Sequence, residues 1–418
     1  MKAKLILCAA LLAVSTAAAS ITVPGANGTS GVLNITENTT IDLSLAATGQ
    51  WDATNSANGI YDPDQWAVVF NYSSVTIAAG ATLTFENHPS RAPVVWLVSG
   101  DVVIDGTISL DGEKYQVAPD LSEPGPGGFR GGSAPYLSGP GASAGFGPGG
   151  GFYNSSSNAG LAGGYATEAF TNGPVYGNAS LIPLIGGSGG SADPNYSDNR
   201  LGGGAGGGAL LIAVTENCTL NGTITSRGGS GNNTGSSWLS NTGGGSGGGI
   251  RIVCDQLLGS GILSAIGGSG WNFGGLGRIR LERSQYTGSL QITPDPSVIP
   301  LSDGDTAILW PPSTAPQVRV VSIGGEAAPT DPRAAFGASG ADVALPEAST
   351  TQIVIETTNV EEASSVEVRV TPRANANASV IAASVDSVLS ADPLVVRWVA
   401  DLPVNVGYSA VQVQVVRP

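Results

Sequence analysis

The chain has 418 residues, 62 of them glycine and only 12% charged, with a formal net charge of −15 and a pI near 4.3. This balance excludes phosphate-backbone recognition, which needs clustered Lys and Arg, and opposes binding to anionic membrane surfaces. A hydrophobic content of 41% excludes a disordered composition, and the length suits about two or three domains with buried cores.

Residues 1–19 read as a signal peptide. Lys2 and Lys4 form a basic start, Leu5 to Val14 an apolar stretch, and Ala17, Ala18 and Ala19 the small residues at which cleavage occurs. Cys8 lies too close to Lys4 to be a lipoprotein cysteine. No later apolar run reaches the roughly 18 residues that cross a bilayer, so no membrane span is expected. The expected location is secreted, extracellular or cell-surface.

Residues 20–293 read as short strands around glycine-rich tracts. Gly31–Ile35, Trp66 to Phe70, Ser74 to Ile77, Gly80 to Phe85 and Pro93 to Leu110 are rich in Val, Ile and Thr and bounded by Gly, Asn, Asp and Pro. Residues 121–280 hold 46 of the 62 glycines. The runs Gly202 to Gly208 and Gly243 to Gly249 nearly match, which points to a repeat. Val94 to Ser109 aligns without a gap on Leu210 to Thr225. Leu211 to Gly231 aligns without a gap on Ile250 to Gly270, and Gly277 to Leu290 is a shortened fourth copy. Such a unit cannot bury its apolar face alone, and stacking successive units buries it. The expected fold here is a parallel β-helix-like solenoid with glycine-rich excursions, the largest at 112–200. Glycine triplets broken by a single Ala or Ser favour extended backbones packed on one another over flexible loops.

Residues 294–317 carry Pro294, Pro296, Pro300, Pro311, Pro312 and Pro316 and read as a linker. Beyond it, residues 318–418 show clean alternation, as in Ser365 to Val370 and Ala410 to Val415. With Val318 to Ile323, Gln352 to Glu356, Ser379 to Val385 and Leu394 to Val399, they predict an immunoglobulin- or fibronectin-III-like β-sandwich. The whole chain is therefore expected to be all-β.

Gly243 to Ile252 with Gly259 to Gly268, and Val75 to Asp111, resemble repeats of glycine-rich β-helical exported bacterial surface and adhesin-like proteins. The resemblance implies fold and location and carries over no catalytic residue.

Chemistry is sparse. The single histidine, His88, excludes a multi-histidine zinc site and weakens any His-based triad; beside Pro89 it reads as a loop residue. Asp62 with Asp64, Asp101 with Asp105, and Asp303 with Asp305 are the carboxylate pairs a glycan-cleaving β-helix would use. Asp101 and Asp105 align with Asn217 and Asn221, which favours side-chain bonds that form turns. Arg251 and Arg280 share a repeat position and read as surface partners of Asp255 and Glu282. Trp51, Trp238 and Trp271 lie by polar or glycine-rich turns as candidate glycan contacts. Cys218 and Cys254 fall in neighbouring repeats as a candidate disulfide, although their columns do not align. Thr223-Ile224-Thr225 is a single Thr-x-Thr unit. No catalytic, cofactor-binding or metal-ligating set is expected, and no cofactor. The expected function is a non-catalytic secreted or cell-surface structural or adhesion-type protein; the alternative is a polysaccharide-binding or polysaccharide-cleaving β-helix. Expected partners are extracellular glycans or other surface proteins.

Overall fold

The computed structural model describes residues 20–54, 57–117, 120–134, 142–154, 159–169, 173–193, 201–233, 241–333, 340–347, 349–373 and 377–418. The expected signal peptide lies outside them.

Between Gly31 and Pro300 the chain returns repeatedly to the same two sheets. It lays β1 (Gly31–Ile35) in the first sheet and β2 (Thr39–Asp42) in the second. β3 (Ala47–Thr48) and β4 (Ile60–Asp62) lead into β5 (Ala67–Ile77), and β6 (Thr82–Glu86) follows. β7 (Val94–Val98) and β8 (Val102–Ile104) precede β9 (Thr107–Ser109). The excursion holds a short hairpin of β10 (Tyr153–Asn154) and β11 (Ala159–Gly160). Then come β12 (Ala209–Val214), β13 (Asn217–Leu220), β14 (Thr223–Thr225), β15 (Gly249–Gly259), β16 (Ile262–Ser264), β17 (Arg278–Gly288), β18 (Gln291–Thr293) and β19 (Ser297–Pro300). The second sheet runs β18-β16-β14-β9-β6-β2, and the other strands apart from β10 and β11 form the first. All pairings in these sheets are parallel except β4 with β5.

The repeat sets the register. Val94 pairs with Leu210, Ile104 with Leu220 and Ile108 with Ile224, without a shift. For the third copy the ungapped alignment holds in β13 and β14, where Asn217 meets Gln256 and Ile224 meets Leu263. It fails by one residue in β12, where Leu210, not Leu211, pairs with Ile250. The omitted residue falls at the corner where the Asp255 N–H donates to the Glu216 carbonyl at 3.2 Å. A one-residue slip would turn Ile250, Ile252 and Cys254 out of the core and Arg251 into it, so burial overrides the simpler alignment. Leu83, Ile108, Ile224 and Leu263 of the second sheet face Trp96, Ile212, Ile252 and Leu281 of the first across one core. The outer face of the first sheet is covered by a second cluster that includes Ile21, Val23, Tyr165, Tyr176, Ala307 and Leu309.

The glycine tracts are ordered. Along Gly203 to Gly208 successive N–H groups donate in a three-residue rotation. Gly203 and Gly206 donate to Gly132 and Phe129, Gly204 and Gly207 to Gly243 and Ser246, and Ala205 and Gly208 to Glu113 and Leu110. Gly243 to Gly248 repeats the rotation toward Ser191 and Ser188, Asn272 and Gly275, and Gly229 and Ser226. Three residues per turn is the period of a polyproline-II helix, and each run is thus hydrogen-bonded sideways to several extended neighbours. Ala205 and Ser246 take part, but at most positions only glycine permits this packing. A methyl group on Gly206 would overlap the Gly187 carbonyl, and one on Gly245 the Ala205 carbonyl.

Beyond the parallel part lie β20 (Gln317–Ile323), β21 (Glu326–Ala327), β22 (Thr350–Thr358), β23 (Ser365–Pro372), β24 (Ser379–Ala391), β25 (Leu394–Pro403) and β26 (Ser409–Val416). They form one antiparallel sheet in the order β21-β20-β22-β25-β24-β23-β26. β24 joins its halves: Ser379 to Ala383 pair with β23, and Ser384 to Ala391 with β25. The sheet closes around Ile353, Ile355, Val368, Val396 and Trp398. Arg369 docks it on the glycine bundle. Its Nη2 donates to the Gly145 and Gly150 carbonyls at 3.2 and 2.9 Å, and its guanidinium lies 4.4 Å from the centre of the Phe152 ring.

Candidate functional site

A cleft of about 820 Å³ lies where the antiparallel sheet meets the parallel part. Trp66, Arg91, Phe129 and Arg130 form one wall, and β20 and β26 with Tyr408 form the other. The first wall begins with two turns. Asp62 Oδ1 accepts the Asp64 and Gln65 N–H groups, and the Trp66 N–H reaches the Pro63 carbonyl. This places Trp66 at φ +46°. The second turn, His88 to Arg91, leaves Arg91 at φ +55°. Left-handed backbone is costly for such bulky residues. The turns hold each other, because the Trp66 indole donates to the Ser90 carbonyl at 3.1 Å.

His88 is a structural part of that wall. Its Nδ1 accepts the Ser90 N–H at 3.2 Å and lies 2.8 Å from the Ser90 hydroxyl, and its ring stacks on Tyr61 at 4.0 Å. Tyr61 donates to Asp331 at 2.5 Å, tying this wall to the connection between β21 and β22 of the antiparallel sheet. Burial holds the His88 pKa below the usual histidine value, and the Asp331 charge opposes that only in part.

Charges around the cleft come in shared sets. Arg91 and Arg130 both bind Glu123, at 3.1 and 2.6 Å. Burial raises the Glu123 pKa against the pull of Arg91. Arg319 and Arg397 both bind Glu356, at 2.5 and 2.8 Å, and their hydrogen bonds lower its pKa. Strand edges complete the far wall. β26 pairs with β23 alone, and β20 meets β21 only at Ser322 and Ile323, so the strand edges at 318–320 and 409–413 border the cleft.

The residues singled out from sequence do not converge. Trp51 packs edge-on against Trp310 at 5.6 Å and over Gly25, as a wall of the outer core. Trp271 is 39% exposed on the glycine bundle, away from the cleft, and Trp238 lies outside the described residues. Cys218 and Cys254 are free, buried thiols on adjacent strands. Cys218 pairs with Leu257 and Cys254 with Arg283, so the offset seen in the sequence persists. Burial raises both pKa values, that of Cys218 to about 12. Arg251 and Arg280 do share Glu282, at 2.8 and 2.7 Å, but not on the surface. Arg251 is 1% exposed and also donates to the Ile308 carbonyl, because residues 301–310 cover this face. Asp101 and Asp105 bond across strands, to Asn217 and Asn221, rather than within their own turns. The Thr-x-Thr unit is less isolated than it reads, since Thr223 and Thr225 pair with Thr107 and Ser109. Among the described residues no group of three or more His, Cys, Asp or Glu could hold a metal ion.

Sequence reasoning placed Trp66 within a strand and missed the cleft. The available signal was Asp62-Pro63-Asp64, a turn signature two residues before Trp66. The site thus defines an all-β protein with a mixed aromatic and arginine cleft between parallel and antiparallel sheets. No protein-family profile, curated protein or solved structure matches the chain.

Proposed function

We propose that this is an exported, non-catalytic protein of structural or adhesion type, released from its signal peptide after Ala19. In this reading the two parallel sheets are the faces of a β-helix-like solenoid, and the antiparallel sheet is an immunoglobulin- or fibronectin-like sandwich at its end. The observation that carries it is the backbone-bonded glycine bundle fused to in-register parallel strands. The glycine part of such a body is held by backbone bonds and the strands by an apolar core, and the whole suits presentation at a distance from a cell. Its one histidine is spent on holding a turn. The test is expression with the native leader in an exporting host. The extracellular or surface fraction should contain a chain beginning at Ser20, and incubation with a polysaccharide panel should release no new reducing ends. Reproducible cleavage that a carboxylate substitution abolishes would overturn the reading.

A further inference from the structure

We infer that the cleft between the Trp66–Arg91 turns and the open edges of β20 and β26 is a binding site for an uncharged oligosaccharide. This rests on the reading of the protein as a non-catalytic surface protein and names what that surface holds. Three observations support it.

The first is construction. Trp66 and Arg91 are two of only four non-glycine residues with positive φ among the described residues, and both line this cleft. Strained, mutually braced turns at a cavity mark a place where side-chain position matters more than backbone cost. The volume of about 820 Å³ lies in the range of ligand sites rather than packing defects.

The second is the match of surfaces. Sugar rings present apolar C–H faces and hydroxyl edges. Trp66, Phe129 and Tyr408 offer rings for the faces. The guanidiniums of Arg91 and Arg130, held by Glu123, and of Arg319, held by Glu356, with β20 and β26, offer fixed polar groups for the edges. Because each carboxylate is shared between arginines, and Asp342 and Glu347 accompany Arg333 on the rim, the two signs are interleaved. A polyanionic glycan would meet no single-signed field there, and an uncharged one would lose nothing by its absence.

The third concerns the competing occupant. Open strand edges can capture an extended peptide. Here the chain after β20 turns back onto part of that edge, where β21 pairs with Ser322 and Ile323 and the Ala328 N–H donates to the Val321 carbonyl at 2.9 Å. The β20 edge is thus partly closed to strand addition while the rings of the cleft remain available to a sugar.

The experiment titrates the exported chain with cello-, xylo- and mannohexaose and fully N-acetylated chitohexaose by calorimetry, with hexagalacturonate as the charged comparison. At least one neutral hexaose should bind with a Kd of about 1 mM or tighter. Trp66→Ala and, on the opposite wall, Tyr408→Ala should each weaken binding about tenfold or more, the second guarding against misfolding of the strained turn. Phe273→Ala, an exposed ring on the glycine bundle, should leave it unchanged. The inference is overturned if no neutral hexaose binds, if hexagalacturonate binds best, or if Trp66→Ala and Tyr408→Ala both bind as the parent does. Concentration-dependent dimerisation that Tyr408→Ala abolishes would also overturn it, by assigning the cleft to a second copy. New reducing ends in the same samples would instead sink the non-catalytic reading and leave the binding site standing.

Discussion

At the scale of single residues, the chain relies on a few side chains with no alternative. Gly206 sits where a Cβ would overlap the Gly187 carbonyl, so Gly206→Ala should cost about 3 kcal/mol through forced separation of packed backbones. Gly49, whose Cβ would meet only Ile60 at 3.8 Å, is the control, and Gly49→Ala should leave the melting temperature nearly unchanged. Comparable losses at both positions would argue against ordered glycine packing. His88 gives a pH signature. Its pKa is lowered in the folded state, so the unfolded chain binds the proton more readily. The stability it contributes is present above the unfolded value, near 6.5, and is lost as pH falls through the lower folded value. As the chain's one histidine, its NMR titration can be followed directly, and the midpoint should lie below 6.5. A midpoint at or above that value would show that Asp331 outweighs burial.

Among elements, β15 and β17 carry a buried charge set. Glu282 accepts from both Arg251 and Arg280 beneath residues 301–310. Removing the shared carboxylate strands two guanidiniums, so Glu282→Ala should destabilise by about 3 kcal/mol in chemical denaturation. Arg251→Met should cost less, because Arg280 still satisfies the acid. The reverse ranking would mean that packing of the arginine stem, not charge, dominates here. The element-level misreading of the sequence has the same origin. An ungapped alignment counts residues, but the corner between β12 and β13 is one residue longer than its counterpart in β15. No composition signal marks which corner is shorter. Only the need to keep Ile250, Ile252 and Cys254 inside decides it.

For the whole molecule, the open question is how the antiparallel sheet is held to the parallel part. Arg369 is the anchor. Its guanidinium is buried against glycine carbonyls and an aromatic ring, and burial lowers its pKa to about 10. Arg369→Leu leaves those carbonyls without this donor, at a cost of roughly 2 kcal/mol. Thermal unfolding should then split into two transitions, with the antiparallel sheet melting first. A single unshifted transition would show that Tyr61 and Asp331 suffice. Much of the architecture was legible in the residues themselves. Period-two alternation located all six longer strands of the C-terminal sheet, and the gapless match of Val94 to Ser109 with Leu210 to Thr225 set a register that holds residue for residue. Those features are local, since alternation and repetition are properties of neighbours in sequence. What the tertiary structure alone decided is where distant segments meet. Runs of glycine became a hydrogen-bonded bundle because their neighbours supply carbonyls on several sides. The arginines expected outside were covered by residues 301–310. The cleft arose from turns at 62–66 and 88–91 facing strand edges more than 220 residues away, a proximity that no local pattern encodes.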